Sequence, residues 1–183
     1  MKTDARVRYT RKVLQDALFA CLKMKNIREI TVTEVCALAG LNRATFYKHY
    51  RDCYDILEQL QERELEEFRT LMETRDKFGG ELIEACLALL ERYHDLNEAT
   101  VQGRTVDGLR QKMMETARAC SMDEWKKAMP EVSAQEVEMR FSAIAAAVFQ
   151  IAVIETGKYD RGTVVRFIEE LIRDAVRPYA ATD

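Results

Sequence analysis

The sequence predicts an all-α protein. The 183 residues include only two prolines and seven glycines, which leaves little room for the many turns of a β architecture. Apolar residues recur every three to four positions over long stretches, and strand-like alternation is nearly absent. Hydrophobic residues make up 48% of the chain and charged residues 32%, as is ordinary for a globular protein.

Charge is distributed unevenly along the chain. Residues 1–51 hold 11 Lys+Arg and 4 Asp+Glu, a net charge of +7, whereas residues 52–183 hold 17 and 27, a net charge of −10. Because nucleic-acid phosphates attract cations, a basic beginning followed by an acidic remainder favours DNA binding by the first part alone. We therefore predict two domains, 1–51 and 52–183.

The first predicted helix follows a basic arm that ends at Tyr9. Thr10 is a plausible N-cap, and the helix should run to about Lys25. Its buried stripe has apolar residues at helical spacing, namely Val13, Leu14, Ala17, Leu18, Cys21 and Leu22.

Two shorter helices with a tight corner are predicted next. Thr33 can cap a helix over Glu34–Ala39, and Asn42 can cap a second helix over Arg43–His49. Gly40 stands between them, where a helix often ends in the left-handed conformation that glycine adopts without a Cβ penalty. This order predicts a helix-turn-helix motif whose second helix enters a DNA major groove.

The two helices should bury one apolar wedge and expose a polar, basic face. The wedge is predicted to contain Val35, Leu38, Leu41 and Phe46. Ala44 is assigned to packing, with the added effect that its small side chain allows close approach to DNA.

The other side chains of the second helix supply the predicted DNA contacts. Arg43 can pair bidentately with a guanine edge, and Thr45 can meet a thymine methyl group or a phosphate. Tyr47 and Lys48 are assigned to backbone oxygens, which fix the register without reading sequence. His49 is assigned to either kind of contact or to a local hydrogen bond.

The motif also carries a family signature. It consists of Thr33, the block Ala39-Gly40-Leu41-Asn42 and the block Thr45-Phe46-Tyr47-Lys48-His49-Tyr50. On these residues the stretch resembles the N-terminal domain of TetR/AcrR-family transcriptional regulators, and the likeness extends roughly from Arg8 to Leu57. The resemblance implies a TetR-like fold, in which a three-helix DNA-binding domain precedes a helical ligand-binding and dimerisation domain.

The resemblance also adds contacts. It implies that the N-terminal residues of the first helix can touch the sugar-phosphate backbone, for which Arg8, Tyr9 and Arg11 are the candidates here. Cys53 stands where the family often has a phosphate-binding lysine, and Arg51 is the proposed substitute. Apart from the resemblance, the amides and hydroxyls of Thr31 and Thr33 at the start of the second helix could hold a phosphate. The complete set of DNA-binding candidates is Arg8, Thr31, Thr33, Asn42, Arg43, Ala44, Thr45, Tyr47, Lys48, His49 and Arg51. Two further patterns, Arg8-Tyr9-Thr10 and Asp52-x-Tyr54-Asp55-x-Leu57, resemble a subgroup with a dihydroxyacetone-kinase regulator that works with a protein partner.

Five more helices are predicted in the acidic part. Asp52 caps the first of them, Ser133 opens another through a capping box with Glu136, and Gly157 and Pro178 end the last two. The predicted ranges are Cys53 to about Thr74, Glu81 to about Leu96, Leu109–Met129, Ala134–Thr156, and a last helix from Gly162 or Thr163, with Asn97–Gly108 as a loop or short irregular helix.

The methionine-rich face of the predicted helix Leu109–Met129 indicates either core filling or an adaptable binding surface. The sequence does not decide between these two roles. The candidate effector-pocket residues are Leu60, Cys86, Leu90, Tyr93, His94, Met113, Met114, Ala117 and Trp125.

The last two helices are more hydrophobic than a single chain of this length requires. The resemblance implies that they pair with a second copy as a four-helix bundle, which would also supply paired half-sites. The alternative is an ordinary monomer core. The predicted interface residues are Ala143, Ala146, Ala147, Gln150, Ile154, Phe167, Ile168, Leu171 and Ile172.

Motifs for catalysis and metal binding are absent from the sequence. It has no P-loop, nucleophile elbow, GxGxxG after a strand or metal-spaced His and Cys residues. We therefore expect no enzyme, cofactor or metal site. The longest apolar run, Ala143–Ile154, is shorter than the roughly 20 residues that span a bilayer, and no signal peptide is apparent, so a cytoplasmic protein without membrane contact is expected.

Together these observations predict a dimeric, sequence-specific transcriptional regulator that binds double-stranded DNA. We expect a repressor released by a small-molecule effector. Alternatively, the regulator is controlled by a protein partner and not by a small ligand. A third possibility is a helical adaptor that binds only protein.

Overall fold

The computed structural model describes residues 2–101, 108–154 and 158–177. These residues contain helices and turns but no strand, so the predicted all-α class is confirmed. The α-helices are α1 Lys2–Leu22, α2 Val32–Ala39, α3 Arg43–Tyr47, α4 Cys53–Thr74, α5 Gly80–Arg92, α6 His94–Val101, α7 Leu109–Ala128, α8 Ala134–Phe149 and α9 Arg161–Val176.

The chain forms two compact units. The first comprises Met1–Arg63 with His94–Leu109, and the second comprises Glu64–Tyr93 with Arg110–Asp183. These limits follow from packing alone and do not test where a DNA-binding domain would end. The predicted domain boundary after Arg51 therefore stays a prediction.

The first helix begins earlier than predicted. Thr10 does not cap it, because its hydroxyl donates a hydrogen bond to the carbonyl oxygen of Arg6 at 2.9 Å, one turn back within α1. Its predicted buried stripe is otherwise found, since only Val13 remains half-buried among the six residues named for it.

The segment from Asn97 onwards, predicted to be a loop or a short irregular helix, begins within a regular α-helix. α5 ends at Arg92, before the predicted Leu96, and α6 follows almost at once. Leu96 and Ala99 are buried, and α6 packs against α1 within the first unit. This pair of buried positions, three residues apart, explains why a short polar sequence is helical here.

The core of the second unit is centred on Trp125. Its indole ring meets the Phe141 ring edge-on at a centroid distance of 5.2 Å. Met122, Met129 and Val137 complete this buried cluster, which joins α7 to α8. Pro130 follows α7, as predicted.

An arginine at the start of α9 fastens that helix to α5. Arg161 donates to Glu84 Oε1 at 2.7 Å and to Glu91 Oε1 at 2.6 Å. Asp160 is the N-cap and accepts a hydrogen bond from the Thr163 amide at 3.0 Å. The helix therefore begins at Arg161, slightly before the predicted start.

The α-helical part of α8 is shorter than predicted. Ser133 caps it, accepting from the Glu136 amide at 3.2 Å, but the described hydrogen bonds of the Glu136 carboxylate come from Arg140 and do not complete the predicted capping box. A π-helical turn over Gln150–Ile154 then replaces the α-helix. The predicted stops at Gly157 and Pro178 lie outside the described residues.

Candidate nucleic-acid interface and effector cavity

The corner between α2 and α3 depends on one glycine. Gly40 has φ 64° and ψ 29°, the left-handed conformation that the sequence predicts. The amides of Gly40 and Leu41 bond to the carbonyl oxygens of Ala37 and Cys36 at 3.3 and 3.0 Å, which satisfies the last carbonyls of α2. A Cβ at Gly40 would meet no atom within 4 Å, so glycine is favoured here by the backbone angle and not by crowding.

The N-cap of α2 is Thr31, whereas the sequence predicted Thr33. Thr31 Oγ1 accepts from the Glu34 amide at 3.3 Å, and the Thr31 amide donates to Glu34 Oε2 at 2.9 Å. This reciprocal capping box requires a glutamate three residues after the cap, which Thr31 has and Thr33 lacks. Thr33 lies in the first turn with an exposed side chain.

The predicted wedge is correct except for one residue. Val35 and Phe46 are fully buried, and Leu41 is half-buried. Leu38, however, is 62% exposed, and Cys36 is buried in its place. Short helix α2 turns Val35 and Cys36 inward, which leaves Leu38 at the edge of the apolar face.

Phe46 anchors α3. It is 0% exposed and contacts the ring of Tyr50 at a centroid distance of 6.0 Å. Tyr50 is also buried, and its hydroxyl accepts from Gln15 Nε2 of α1 at 3.0 Å. These contacts hold one side of α3 against α1.

The opposite side of α3 is open. Arg43, Ala44, Tyr47 and Lys48 are exposed, and Thr45 is half-buried. Asn42, also exposed, caps the helix by accepting from the Thr45 amide at 2.7 Å. The side chains predicted to touch DNA thus occur together on one exposed helical surface.

The α-helical part of α3 ends at Tyr47, two residues before the prediction. The amides of Lys48 and His49 reach the carbonyl oxygens of Thr45 and Phe46 at 3.3 and 2.9 Å. These i→i−3 bonds tighten the final turn. Lys48 and His49 therefore follow the helix in a turn.

Two of the exposed side chains of α3 contact each other. Arg43 Nη2 donates to the Tyr47 hydroxyl at 3.3 Å, and the guanidinium carbon lies 5.8 Å from the centre of the Tyr47 ring. One turn apart, the two residues are natural neighbours on a helix. Tyr47 therefore limits the orientations of the Arg43 guanidinium.

Three other DNA-binding candidates lie in different environments. His49 is half-buried, and burial lowers its pKa, as do the nearby charges of Arg11 and Lys48. Arg8 is exposed on α1. Arg51 is exposed but pairs with two carboxylates of α4, Asp55 at 3.2 Å and Glu58 at 2.9 Å.

The Arg51 pairs modify its predicted role. A phosphate contact would have to replace the pairs with Asp55 and Glu58, so this arginine is a weaker candidate than Arg43 or Lys48. Thr31 is limited in a similar way, because its hydroxyl donates to Glu34 Oε2 at 2.9 Å.

An ion pair links the capping box of α2 to the turn that follows α1 and makes the motif sensitive to acid. Lys25 Nζ lies 2.6 Å from Glu34 Oε1. The hydrogen bond from Lys25, then those from the Thr31 amide and hydroxyl, lower the pKa of Glu34 from 4.5 to about 2. A carboxyl group with a lowered pKa in the folded state stabilises the fold above its unfolded pKa and loses that contribution as pH falls.

We therefore expect Glu34→Gln to flatten the pH dependence of stability between about pH 4.5 and pH 2. Urea unfolding followed by circular dichroism at several pH values measures this slope. Glu62→Gln, which removes the same charge from an exposed position on α4, corrects for net charge. Parallel profiles for Glu34→Gln and the unaltered protein would contradict the assignment.

The second unit contains an apolar cavity of about 150 Å³. Six of the nine candidate effector residues line it, and they come from α5 and α7: Cys86, Leu90, Met113, Met114, Ala117 and Trp125. Burial raises the pKa of the Cys86 thiol to about 12, so the thiol is neutral and adds to an apolar wall. The methionine-rich face of α7 thus borders a cavity.

The other three effector candidates do not line this cavity. Leu60 is buried in the first unit. The Tyr93 hydroxyl donates to Glu67 Oε1 at 2.8 Å. His94 begins α6, is exposed, and lies 3.8 Å from Glu98. Sequence spacing assigned Leu60 and Tyr93 to apolar helix faces without distinguishing which core each face joins. For His94, the sequence left open a structural or surface histidine near a helix end and a ligand contact.

The cavity also includes residues that the sequence did not single out. Phe68 and Met72 of α4, Ile144 and Val148 of α8, and Lys77 line it. Lys77 lies in the turn between α4 and α5 and is only 8% exposed. The only signal for Lys77 in the sequence is its position between the apolar residues Met72 and Phe78, in the turn that connects the apolar faces of α4 and α5.

The predicted dimer residues divide into two groups. Ala143 and Ala146 of α8, Gln150 of the π-helical turn and Phe167 of α9 are exposed. Ala147 and Leu171 are half-buried. The side chain of Ile154 lies outside the described residues.

Two of the predicted interface residues line the cavity of their own unit. Ile168 is 0% exposed, whereas Ile172 is half-buried. The interface itself stays a prediction.

Two further properties of the described residues bear on function. No helix among them is both long and apolar enough to cross a bilayer. Within the same residues, His, Cys, Asp and Glu side chains form no group of three or more that could hold a metal ion.

The first unit has the arrangement of a helix-turn-helix domain, and the fold of the chain is similar to that of a solved structure. The structure of the fatty acid degradation regulator FadR from Bacillus halodurans matches with a TM-score of 0.57 and 18% identity, covering 93% of this chain and 96% of that one. The dihydroxyacetone kinase operon activator DhaS matches with a TM-score of 0.48 and 18% identity, covering 91% and 92%. No family model and no curated protein matches the sequence.

Proposed function

We propose that this protein is a sequence-specific DNA-binding transcription regulator. The observation that carries the proposal is that α3 and the turn after it expose Arg43, Tyr47 and Lys48 while Phe46 of the same helix is fully buried. A helix held in this way can enter the major groove with its side chains directed at base edges and phosphates. The net charge of +7 on residues 1–51 supports the same assignment.

We also propose that the regulator acts as a homodimer. Met139 of α8 and Phe167 of α9 are 64% and 51% exposed. Ala143 and Ala146 of α8 and Gln150 of the π-helical turn are also exposed. Small and apolar side chains on exposed helices favour close helix pairing. A symmetric pair would present two copies of α3 to two half-sites of a near-palindromic operator.

The cavity in the second unit supports control by a small molecule rather than by a protein partner. It is lined by apolar residues from several helices, as ligand pockets usually are. A ligand that binds more tightly to the form unable to hold DNA must weaken DNA binding by the same factor. We propose that the protein is a repressor and that such an effector releases it.

The DNA-binding proposal predicts two different mutant phenotypes. Genomic fragments that the purified protein captures define the operator, and fluorescence anisotropy then measures affinity for it and for single-base variants. Lys48→Ala should weaken binding to all sequences alike and reduce the salt slope by about 1. Arg43→Ala should weaken the free energy of operator binding by about 1–3 kcal/mol and relax the preference at one base position.

Lys126→Ala is the matched control, because it removes one exposed positive charge from α7, outside the motif. It should leave both the affinity and the preference unchanged. Exchanged phenotypes would reverse the roles of Arg43 and Lys48. Binding that shows no preference for any fragment over bulk DNA would instead favour a helical adaptor.

A further inference from the structure

Lys77 connects two different spaces of the second unit. It is one of the few polar residues that line the apolar cavity, where Ser121 is another. It also lines a more open, polar cleft that includes Arg69 and Lys112. The apolar cavity and the polar cleft therefore share this lysine at their margin.

The polar cleft by itself does not favour an anion. Apart from Lys77, Arg69 and Lys112 contribute two positive charges, and Glu73, Glu115 and Glu124 contribute three negative ones. A preference for one sign of charge must therefore come from the side chain that the cavity and the cleft have in common.

The Lys77 ammonium has unused hydrogen-bonding capacity. Its described hydrogen bond goes to the carbonyl oxygen of Arg75 at 3.0 Å, whereas an ammonium has three donors. No carboxylate oxygen of the described residues lies within 4.0 Å of it. Because a buried charge is costly unless it is paired, an anion at this point would be stabilised by the protein.

We propose that the cavity binds an amphiphile with an unbranched apolar tail and an anionic head group. The tail lies against Met72, Met113 and Trp125, and the head group pairs with Lys77 and extends into the polar cleft. This names the class of the effector, and its regulatory meaning rests on the proposed function. The binding itself does not depend on DNA.

The test compares three ligands with the same ten-carbon tail in the absence of DNA. Decanoate carries an anionic head, decanol a neutral one and decyltrimethylammonium a cationic one. Trp125 is the only tryptophan in the chain and lines the cavity, so its fluorescence reports binding, and the rise in unfolding temperature provides a second measurement. We expect decanoate to bind at least about tenfold more tightly than decanol, because charge-assisted hydrogen bonds are the stronger ones.

Lys77→Gln should remove this preference while decanol binding stays the same, and Lys77→Arg should retain it. Lys126→Gln is the matched control, because it removes an exposed positive charge of α7 that lines neither the cavity nor the cleft, and it should retain the preference. Equal binding of decanoate and decanol by the unaltered protein overturns the proposal without any variant. A decanoate preference that survives in folded Lys77→Gln overturns it as well.

A separate assay distinguishes this inference from the proposed function. Adding decanoate to the protein–operator complex should release the DNA. If decanoate binds with the Lys77-dependent preference but the protein binds no operator, the ligand class is supported and the regulator function fails. If the protein binds an operator but takes up decanoate no better than decanol, the regulator function stands and the ligand class is overturned.

Discussion

Replacing Phe46 with alanine should destabilise the first unit by about 3–5 kcal/mol, the usual cost of removing a buried aromatic side chain. Phe46 is 0% exposed and is the residue that fixes α3 against the rest of the motif. Since natural domains are stable by only about 5–15 kcal/mol, much of the stability of this unit would be lost. DNA binding should fail with it, because α3 loses its support.

Urea unfolding and amide hydrogen exchange measure this effect, with exchange resolving the first unit from the second. Leu38→Ala is the control, because it removes an apolar side chain of the same motif that is 62% exposed. It should change stability by no more than about 0.5 kcal/mol. Equal losses for Phe46→Ala and Leu38→Ala would show that α3 is not held by Phe46.

Placing a carboxylate at Ala146 should break the proposed dimer. Ala146 is exposed near the middle of the apolar surface of α8, where Ala146→Asp would bring two like charges together across a symmetric interface. A monomer would engage one half-site at a time, and losing bivalent engagement reduces affinity by roughly 100- to 10,000-fold. Sedimentation velocity measures the dimer, and anisotropy with the operator measures the affinity.

The control is the same substitution at Ala134. This residue is exposed in the first turn of α8, where an acidic side chain favours the helix dipole and lies outside the proposed interface. Ala134→Asp should remain dimeric and bind the operator normally. An intact Ala146→Asp dimer would exclude this face of α8 from the interface.

The helices of this protein could be predicted from the sequence more readily than their ends. Periodicity indicated α4 over its observed range, because its apolar positions are regular and Asp52 caps it. The start of α2 was missed by choosing Thr33, although Glu34 forms the capping box only with Thr31. Helix α6 was predicted only in part, as the end of the preceding helix and a loop or short irregular helix, because its buried face consists of few residues and their partner, α1, is distant in sequence.

Periodicity also identifies apolar faces without saying what covers them. Phe167 and Ile168 are neighbours on α9, yet one is 51% exposed and the other fully buried. The sequence assigned both to a dimer interface, since only the packed structure distinguishes a core contact from a free surface. Lys77 was missed for the opposite reason, because a charged residue in a turn matches no apolar pattern, and its burial follows from the tertiary fold.

The sulfur atoms around the cavity have a mechanical consequence. Met72, Met113 and Met114 reach it on unbranched side chains, whose several rotatable bonds give them many conformers of similar energy. The cavity can therefore lengthen or widen through rotation of these side chains alone, without movement of the backbone. Ligands whose apolar tails differ by a few methylene groups should then bind in the cavity with small differences in strain.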